Sequence, residues 1–477
     1  MSILFYLKNT TYRILILIKL IFVINILIIH KKCFNSLPNH SFEYVYSLIN
    51  ENGCLIIKLV QWITSRLNVY HEISKPEWLE KLNTFFENCP VHNLTYSKQI
   101  YQNLTGTNLD DDYIIKDNIS SGSIGQVYHC ISKKNNKEYA IKIKHPDIDS
   151  QINVPKFFII ILNNIFKYIP YINKYVIPFD LDSFFINLEK QTFFCNEAQN
   201  IKKMEAIFKN EEYIIIPSVV KYNNDIIIMT YESGITYDQF SLTESDFQKY
   251  KICLLYFFYI QKCMFIENFN HGDLHCSNWK IRRHQNKKDY CLIIYDFGVC
   301  YTLSDIHTIQ DIVRAWETNN IESICNIIDI FLCNTPNHIV KKIKNQLNYH
   351  LTVNQLKPFS MSKYFSLIYK IITDYNIKLE YSFFNLIISF GLCENILKKN
   401  GMLNAGIEIN DTTNSALYQD LYLEYINFCK TKKCFLDLAE YYETVISKSN
   451  TNYYKLFSTA HDTLNLLDSN NTTSLEI

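Results

Sequence analysis

The 477-residue chain lacks net charge, since 47 Lys and Arg balance 47 Asp and Glu. Without a basic excess there is no electrostatic ground for a nucleic-acid partner. Cys-x-x-Cys spacing is absent among the 15 cysteines, and their count is odd, so neither a disulfide framework nor a structural zinc site is indicated. A reducing, intracellular compartment fits better. No repeat of solenoid length occurs. An apolar run of the roughly 20 residues needed for a spanning helix is also missing. Ile14 to Ile29 comes nearest, interrupted by Lys19 and Asn25. No small-x-small site follows it, which argues against a cleavable signal peptide. Residues 1–40 stay open to three readings: a membrane anchor with lipid as partner, a targeting segment, or a buried helix. What the chain does have is apolar mass. With 48% hydrophobic and 15% aromatic residues, it excludes wholesale disorder, collagen and coiled coil.

Periodicity divides the rest. Residues 41–110 read as helices, including Trp78 to Phe86. Short β-type runs follow at Tyr113–Ile115, Val127–Ile131 and Tyr139–Ile143, the last two joined by the polar turn Lys133 to Lys137. Helices are expected at 154–168 and 180–209, strands at Val219–Val220 and Ile226–Met229, and helices over 245–269 and most of 305–448. The segment 111–234 is thus expected to be a small β-rich lobe with inserted helices, and 235–467 a helical lobe. A polar tail occupies 468–477.

Chemistry concentrates in His271-Gly272-Asp273-Leu274-His275-Cys276-Ser277-Asn278 and Ile293-Ile294-Tyr295-Asp296-Phe297-Gly298. Phosphoryl transfer from ATP needs Mg²⁺ bridging the phosphates and a carboxylate facing the attacking hydroxyl. Kinase-type sites supply an Asp, an Asn five residues later, and the Asp of Asp-Phe-Gly beyond a short hairpin. Asp273, Asn278 and Asp296 have this order, with Ile281 and Cys291–Tyr295 as hairpin strands. Asp273 is therefore the candidate catalytic residue, and Asn278 and Asp296 the candidate Mg²⁺ ligands. Upstream, Tyr139-Ala140-Ile141-Lys142 places Lys142 for the phosphates. The loop Ser121-Gly122-Ser123-Ile124-Gly125-Gln126-Val127 before it has the small residues that let backbone N–H groups approach phosphate oxygens. Glu197 is the candidate to orient Lys142, with Glu189 and Glu205 as alternatives at helical spacing. Base contacts are expected at Thr230, Tyr231 and Glu232, along an exposed hinge that Gly234 frees to turn. His271, His275 and Cys276 cluster in sequence, but the kinase-type loop accounts for them better than zinc does.

Together these motifs resemble the UbiB/ADCK family of atypical kinases (the aarF-domain-containing kinases) within the protein-kinase-like superfamily. Gly125-Gln126-Val127 is similar to the family's Gly-Gln-Val loop ending. Lys142-Ile143-Lys144-His145-Pro146-Asp147-Ile148 is similar to its Lys-Val-Gln-His-Pro-Gly-Ile, and Lys58-Leu59-Val60-Gln61 to its Lys-x-Gly-Gln. The resemblance covers roughly residues 45–330. It implies an α+β, bilobal kinase-like fold with an added N-terminal helical extension. It also implies ATP and Mg²⁺ as cofactors, a membrane or mitochondrial setting, a role in prenyl-lipid (coenzyme Q-type) metabolism, and a regulatory lid carrying Lys58 and Gln61. Three departures stand out. Ser120-Ser121-Gly122-Ser123 replaces an Ala-rich loop, Val60 replaces a glycine, and Gln191-Thr192-Phe193 replaces the Glu-x-Asp that pairs with the lid lysine. A looser or rewired lid is the expectation. Two other readings compete: a small-molecule phosphotransferase similar to aminoglycoside and choline kinases, and a nucleotide-binding pseudokinase scaffold.

Overall fold

The computed structural model describes residues 3–34, 38, 40–70, 82, 89–166, 181–285, 289–303, 325, 335–353, 367, 371, 375, 385 and 414–448. The polar tail, most of Trp78 to Phe86 and most of 304–413 lie outside them.

Three helices open the chain: α1 (Ile3–Phe34), α2 (Ser41–Asn52) and α3 (Cys54–Tyr70). On α1 the residues Ile16, Leu17 and Leu20 share one face and pack with Leu48, Ile49, Ile56 and Ile57. Leu15, Ile18, Phe22 and Ile26 fall on the opposite face and are exposed. Among the described residues, no helix is long and apolar enough to cross a membrane.

Helix α4 (Leu94–Thr105) is capped by Asn93, whose side chain accepts the Thr95 N–H. Strands β1 (Tyr113–Ser121), β2 (Gly125–Ser132) and β3 (Glu138–Lys144) follow. Period-2 alternation then decides which side chains reach the cleft. Tyr128, Cys130, Ile141 and Ile143 turn to one face and pack with Tyr101 and Leu109 around α4. Val127, Ala140 and Lys142 therefore turn to the other. Next come α5 (Ile148–Phe166), α6 (Leu181–Gln191), α7 (Phe194–Ile207), β4 (Ile214–Ile215), β5 (Val219–Tyr222) and β6 (Ile226–Thr230). The helical stretch expected over 180–209 is divided into two helices. The Thr192 hydroxyl bonds the Glu189 carbonyl and Phe193 is extended (φ −97°, ψ 96°), which interrupts the ladder. The sheet is antiparallel in the order β1-β2-β3-β6-β5, with Lys142 opposite Ile227.

The larger lobe begins with α8 (Tyr237–Thr243), closed by a capping box between Thr236 and Gln239. Helix α9 (Asp246–Gln261) follows, buried nearly all round from Ile252 to Gln261, and continues as a π-helical turn over Lys262–Ile266. Strand β7 (Asn270–His271) pairs with β10 (Cys300–Tyr301), and between them β8 (Trp279–Arg283) and β9 (Tyr290–Ile294) form the expected hairpin. Helices α10 (Asn337–Val353), α11 (Asn414–Lys432) and α12 (Leu436–Lys448) complete the described chain. Buried Lys262 ties this lobe to the segment before β4, reaching Glu211 at 3.4 Å and also Asp437 of α12. The result is the α+β, bilobal, kinase-like fold with a helical extension.

Close approach sets Gly125 and Gly234, among others. A Cβ on Gly125 would lie 2.8 Å from both the Ile143 carbonyl oxygen and Phe194 Cζ, whereas at Gly122 the nearest atom would be 3.6 Å away. Gly125→Ala should therefore cost about 2 kcal/mol of stability in urea unfolding, while Gly122→Ala should be nearly neutral. Equal midpoints for the two variants would contradict this packing. Gly234, expected to free a turn, instead has no room for a side chain: Ile293 Cδ1 and Lys280 Cβ would both sit 2.9 Å from its Cβ.

Candidate active site

Lys142 is the centre of the site. Its Nζ lies 2.7 and 2.9 Å from the two carboxylate oxygens of Glu197 on α7, and 3.2 Å from Asp296 Oδ1. Glu189 pairs instead with Lys156, and Glu205 accepts from Ser218, so neither alternative acid is the partner. Burial alone would lower the Lys142 pKa, but Asp296 and Glu197 outweigh it and hold the ammonium well above its usual range. The Glu197 side chain is 2% exposed. Lys142→Met would strand that carboxylate and should cost about 3 kcal/mol in urea unfolding, with about half recovered by adding Glu197→Gln. No recovery in the double variant would mean the pair is not what stabilises the lobe.

Asp296 follows β9 at φ +54°, a left-handed conformation uncommon outside glycine. Asn200 of α7 donates to the Phe297 carbonyl (2.9 Å), which fastens the Asp-Phe-Gly segment to the helix bearing Glu197. Desolvation would raise the Asp296 pKa, yet Lys142 and then Lys58 hold it far below the usual carboxylate range. On the other side, His271 accepts the Asp273 N–H at Nδ1 (3.1 Å) and so donates from Nε2 to the Tyr295 carbonyl (3.0 Å). One imidazole thus joins the loop of Asp273 to that of Asp296. Asn278 Nδ2 donates to the Asp273 carbonyl (2.8 Å). His275 Nδ1 accepts the Ser277 N–H, leaving its Nε2 4.0 Å from Asp273 Oδ2. Lys142, Glu197, Asp273, Asn278 and Asp296 therefore converge on one cleft.

The lid residues fall there too. The carboxylates expected to hold Lys58 are missing: Gln191 turns to the Asn187 carbonyl. Lys58 instead reaches Asp273 Oδ2 at 3.3 Å. This pair bridges 215 residues, so no local pattern announces it. Burial lowers the Lys58 pKa, but Asp273 and Asp296 more than restore it. Asp273 is correspondingly held below its ordinary value by Lys58 and His275, against the desolvation that would raise it. Gln61, buried one turn on, lies 3.5 Å from the Ser123 hydroxyl. Through these two contacts α3 joins the Asp273 loop to the turn between β1 and β2.

In that loop Ser121 closes β1, Gly122 donates its N–H to the Gly125 carbonyl (2.9 Å), and Val127 pairs with Lys142. The hinge is half-buried and more engaged than a free exposed segment. The Tyr231 N–H donates to the Glu138 carbonyl (3.2 Å), and its ring stacks on His129 at 3.8 Å. Glu232 accepts from Thr230 (3.0 Å) and Arg282 (2.8 Å), while its carbonyl accepts the Tyr295 hydroxyl (2.6 Å). Tyr295, Asn200, His92 and His145 are participants the motifs did not reveal. Tyr295 and His145 stand inside the quoted motifs with no role read for them, Asn200 is in helical register with Glu197, and His92 had no sequence signal.

Residues 85–327 match the model of the ABC1 atypical kinase-like domain. The chain is similar to the "Probable serine/threonine-protein kinase abkC" of Dictyostelium discoideum, 23% identical over 50% of this chain and 35% of the relative. A mitochondrial ABC1 family protein of Saccharomyces cerevisiae is 26% identical over 48% and 38%. The "Probable protein kinase UbiB" of Shewanella woodyi is 22% identical over 55% and 48%. The match thus spans less than half the length of these relatives. A solved structure of Rv3197 with erythromycin from Mycobacterium tuberculosis is similar at 13% identity and a TM-score of 0.42, covering 67% of this chain and 84% of that one.

Proposed function

Because this chain belongs to the ABC1 atypical kinase-like family, we propose that it uses Mg-ATP as an atypical kinase or ATPase through the cleft centred on Lys142. The observation that carries this reading is the triangle of Lys142, Glu197 and Asp296 facing Asp273 and Asn278. An ammonium held charged by two carboxylates is suited to pairing with phosphate oxygens. Asn278 spends its amide N–H on the backbone and keeps its carbonyl oxygen for a cation, and Asp296 adds a carboxylate. Among the described residues there is no cluster of three His, Cys, Asp or Glu that would hold a metal by itself. One amide and one carboxylate suit Mg²⁺, which takes its other ligands from water and phosphates. When bound, that ion would neutralise charge developing on the transferred phosphoryl group.

Asp273 would orient and deprotonate the attacking hydroxyl or water. Ser121, Gly122, Ser123, Gly125 and Val127 would cover the phosphates, and Thr230, Tyr231 and Glu232 would receive the base. Lys58 and Gln61 would regulate, since Lys58 occupies the carboxylate that the acceptor needs. A membrane setting is supported by the exposed apolar face of α1, whose 32 residues include Lys and Arg but no acid. The names of the relatives suggest prenyl-lipid metabolism and a mitochondrial location. The test is a single-turnover assay with γ-labelled ATP and magnesium, with and without lipid vesicles. Label should leave ATP as phosphate or enter an acceptor, and vesicles should change the rate. Binding without release or transfer would remove the enzymatic reading and leave a scaffold.

A further inference from the structure

We propose that His145, backed by His92, is a positioning residue that holds the phosphate-covering loop in its anion-accepting orientation; this rests on the nucleotide reading above. His145 follows β3 and His92 precedes α4, so 53 residues separate them, yet their Nδ1 atoms are 2.6 Å apart. Two imidazole nitrogens at that distance must be one donor and one acceptor. The remaining contacts fix which is which. His145 Nε2 lies 3.0 Å from the Gly122 carbonyl oxygen, which can only accept, so Nε2 carries the hydrogen. Burial lowers the His145 pKa and favours the neutral ring, whose Nδ1 is then bare. His92 must donate to it from its own Nδ1.

The pattern propagates outward. His92 Nε2 is bare and accepts the Ser97 hydroxyl (2.7 Å), which in turn accepts from Tyr128 (2.8 Å). Tyr128 accepts from Gln126 Nε2 (2.5 Å), and Gln126 Oε1 takes the His92 backbone N–H (3.0 Å). Ser121 donates its hydroxyl to the Pro90 carbonyl (2.9 Å). Each group has a partner with the correct sense, so the network supports a single arrangement rather than two.

Its effect falls on one peptide unit. In a planar trans peptide the C=O and N–H point in opposite directions. Holding the Gly122 carbonyl against His145 turns the Ser123 N–H the other way, as a donor for a phosphate oxygen. Without the imidazole donor the Gly122 carbonyl loses this hydrogen bond, and glycine tolerates the rotated form. The rotated form would offer an anion a carbonyl oxygen instead. His145 thus governs phosphate affinity without touching the nucleotide.

The full chain, titrated with Mg-ATP, Mg-ADP and adenosine, tests this in His145→Phe and His145→Gln. Glutamine carries an N–H donor near the place of histidine Nε2. Phenylalanine should weaken ATP and ADP about tenfold and adenosine less than about twofold, and glutamine should recover most of the loss. Unchanged ATP affinity in His145→Phe, or an equal loss for all three ligands, overturns the inference. If the wild type binds no nucleotide, the nucleotide reading itself fails and the inference falls with it. Histidine ¹⁵N NMR of the ligand-free protein near neutral pH should show His145 with Nε2–H and His92 with Nδ1–H. The reverse tautomers would overturn the inference even where ATP binds.

Discussion

Replacing Asp296 by asparagine is expected to lower magnesium-dependent ATP turnover at least about a hundredfold. The substitution keeps the shape but removes the only carboxylate of the proposed Mg²⁺ site, and Lys142 keeps Glu197 as its partner. The fold should therefore survive, and the loss should be chemical. The sign of binding separates this from simple damage. In the proposed complex Asp296 is a negative charge beside the phosphates, so metal-free ATP should bind Asp296→Asn as tightly as wild type or tighter. Mg-ATP should bind more weakly, which is read by fluorescence titration with and without EDTA. Undiminished turnover in Asp296→Asn would remove the metal role assigned to this residue.

Lys58→Met should act in the opposite direction and raise basal turnover about tenfold by returning proton affinity to the proposed acceptor carboxylate. Lys58 stands 3.3 Å from Asp273 and holds its pKa down, which makes Asp273 a poor proton acceptor. Stability should move the other way. A carboxylate whose folded pKa is depressed contributes stability above its unfolded value near pH 3.9, and loses it as pH falls through the folded value. Lys58→Met forfeits that contribution, so its deficit against wild type in urea should be largest near neutral pH and narrow below about pH 4. A fall in turnover with ATP affinity also lost would make Lys58 a phosphate ligand rather than a plug.

These two residues also show what could be read from the chain. Asp273, Asn278 and Asp296 were legible because their geometry comes from short loops flanking a hairpin, where sequence spacing is nearly spatial spacing. Lys142 was legible because Ile141 and Ile143 on either side must point into the core, which leaves one direction for the lysine. The partner of Lys58 was not, since it depends on how α3 lies across both lobes, packed through Cys54 and Leu55 against Ile124, Phe194 and Ala198. Absent acids at 191–193 suggested a looser or rewired helix without saying which acid Lys58 would meet, and the fold supplied Asp273. The pairing of His145 with His92 was invisible for the same reason: it joins residues 53 apart, and only His145 stands in a motif. Thr192 hid a helix break that composition alone reads as continuous.

The phenol of Tyr295, one residue upstream of Asp296 in the chain, is bonded to the Glu232 carbonyl, which makes the proposed base seat and the proposed cation ligand parts of one mechanical linkage. Prying the lobes apart at Glu232 would drag Asp296 with it, so on the proposed reading a purine analogue that wedges this hydroxyl aside would disarm the far end of the triphosphate.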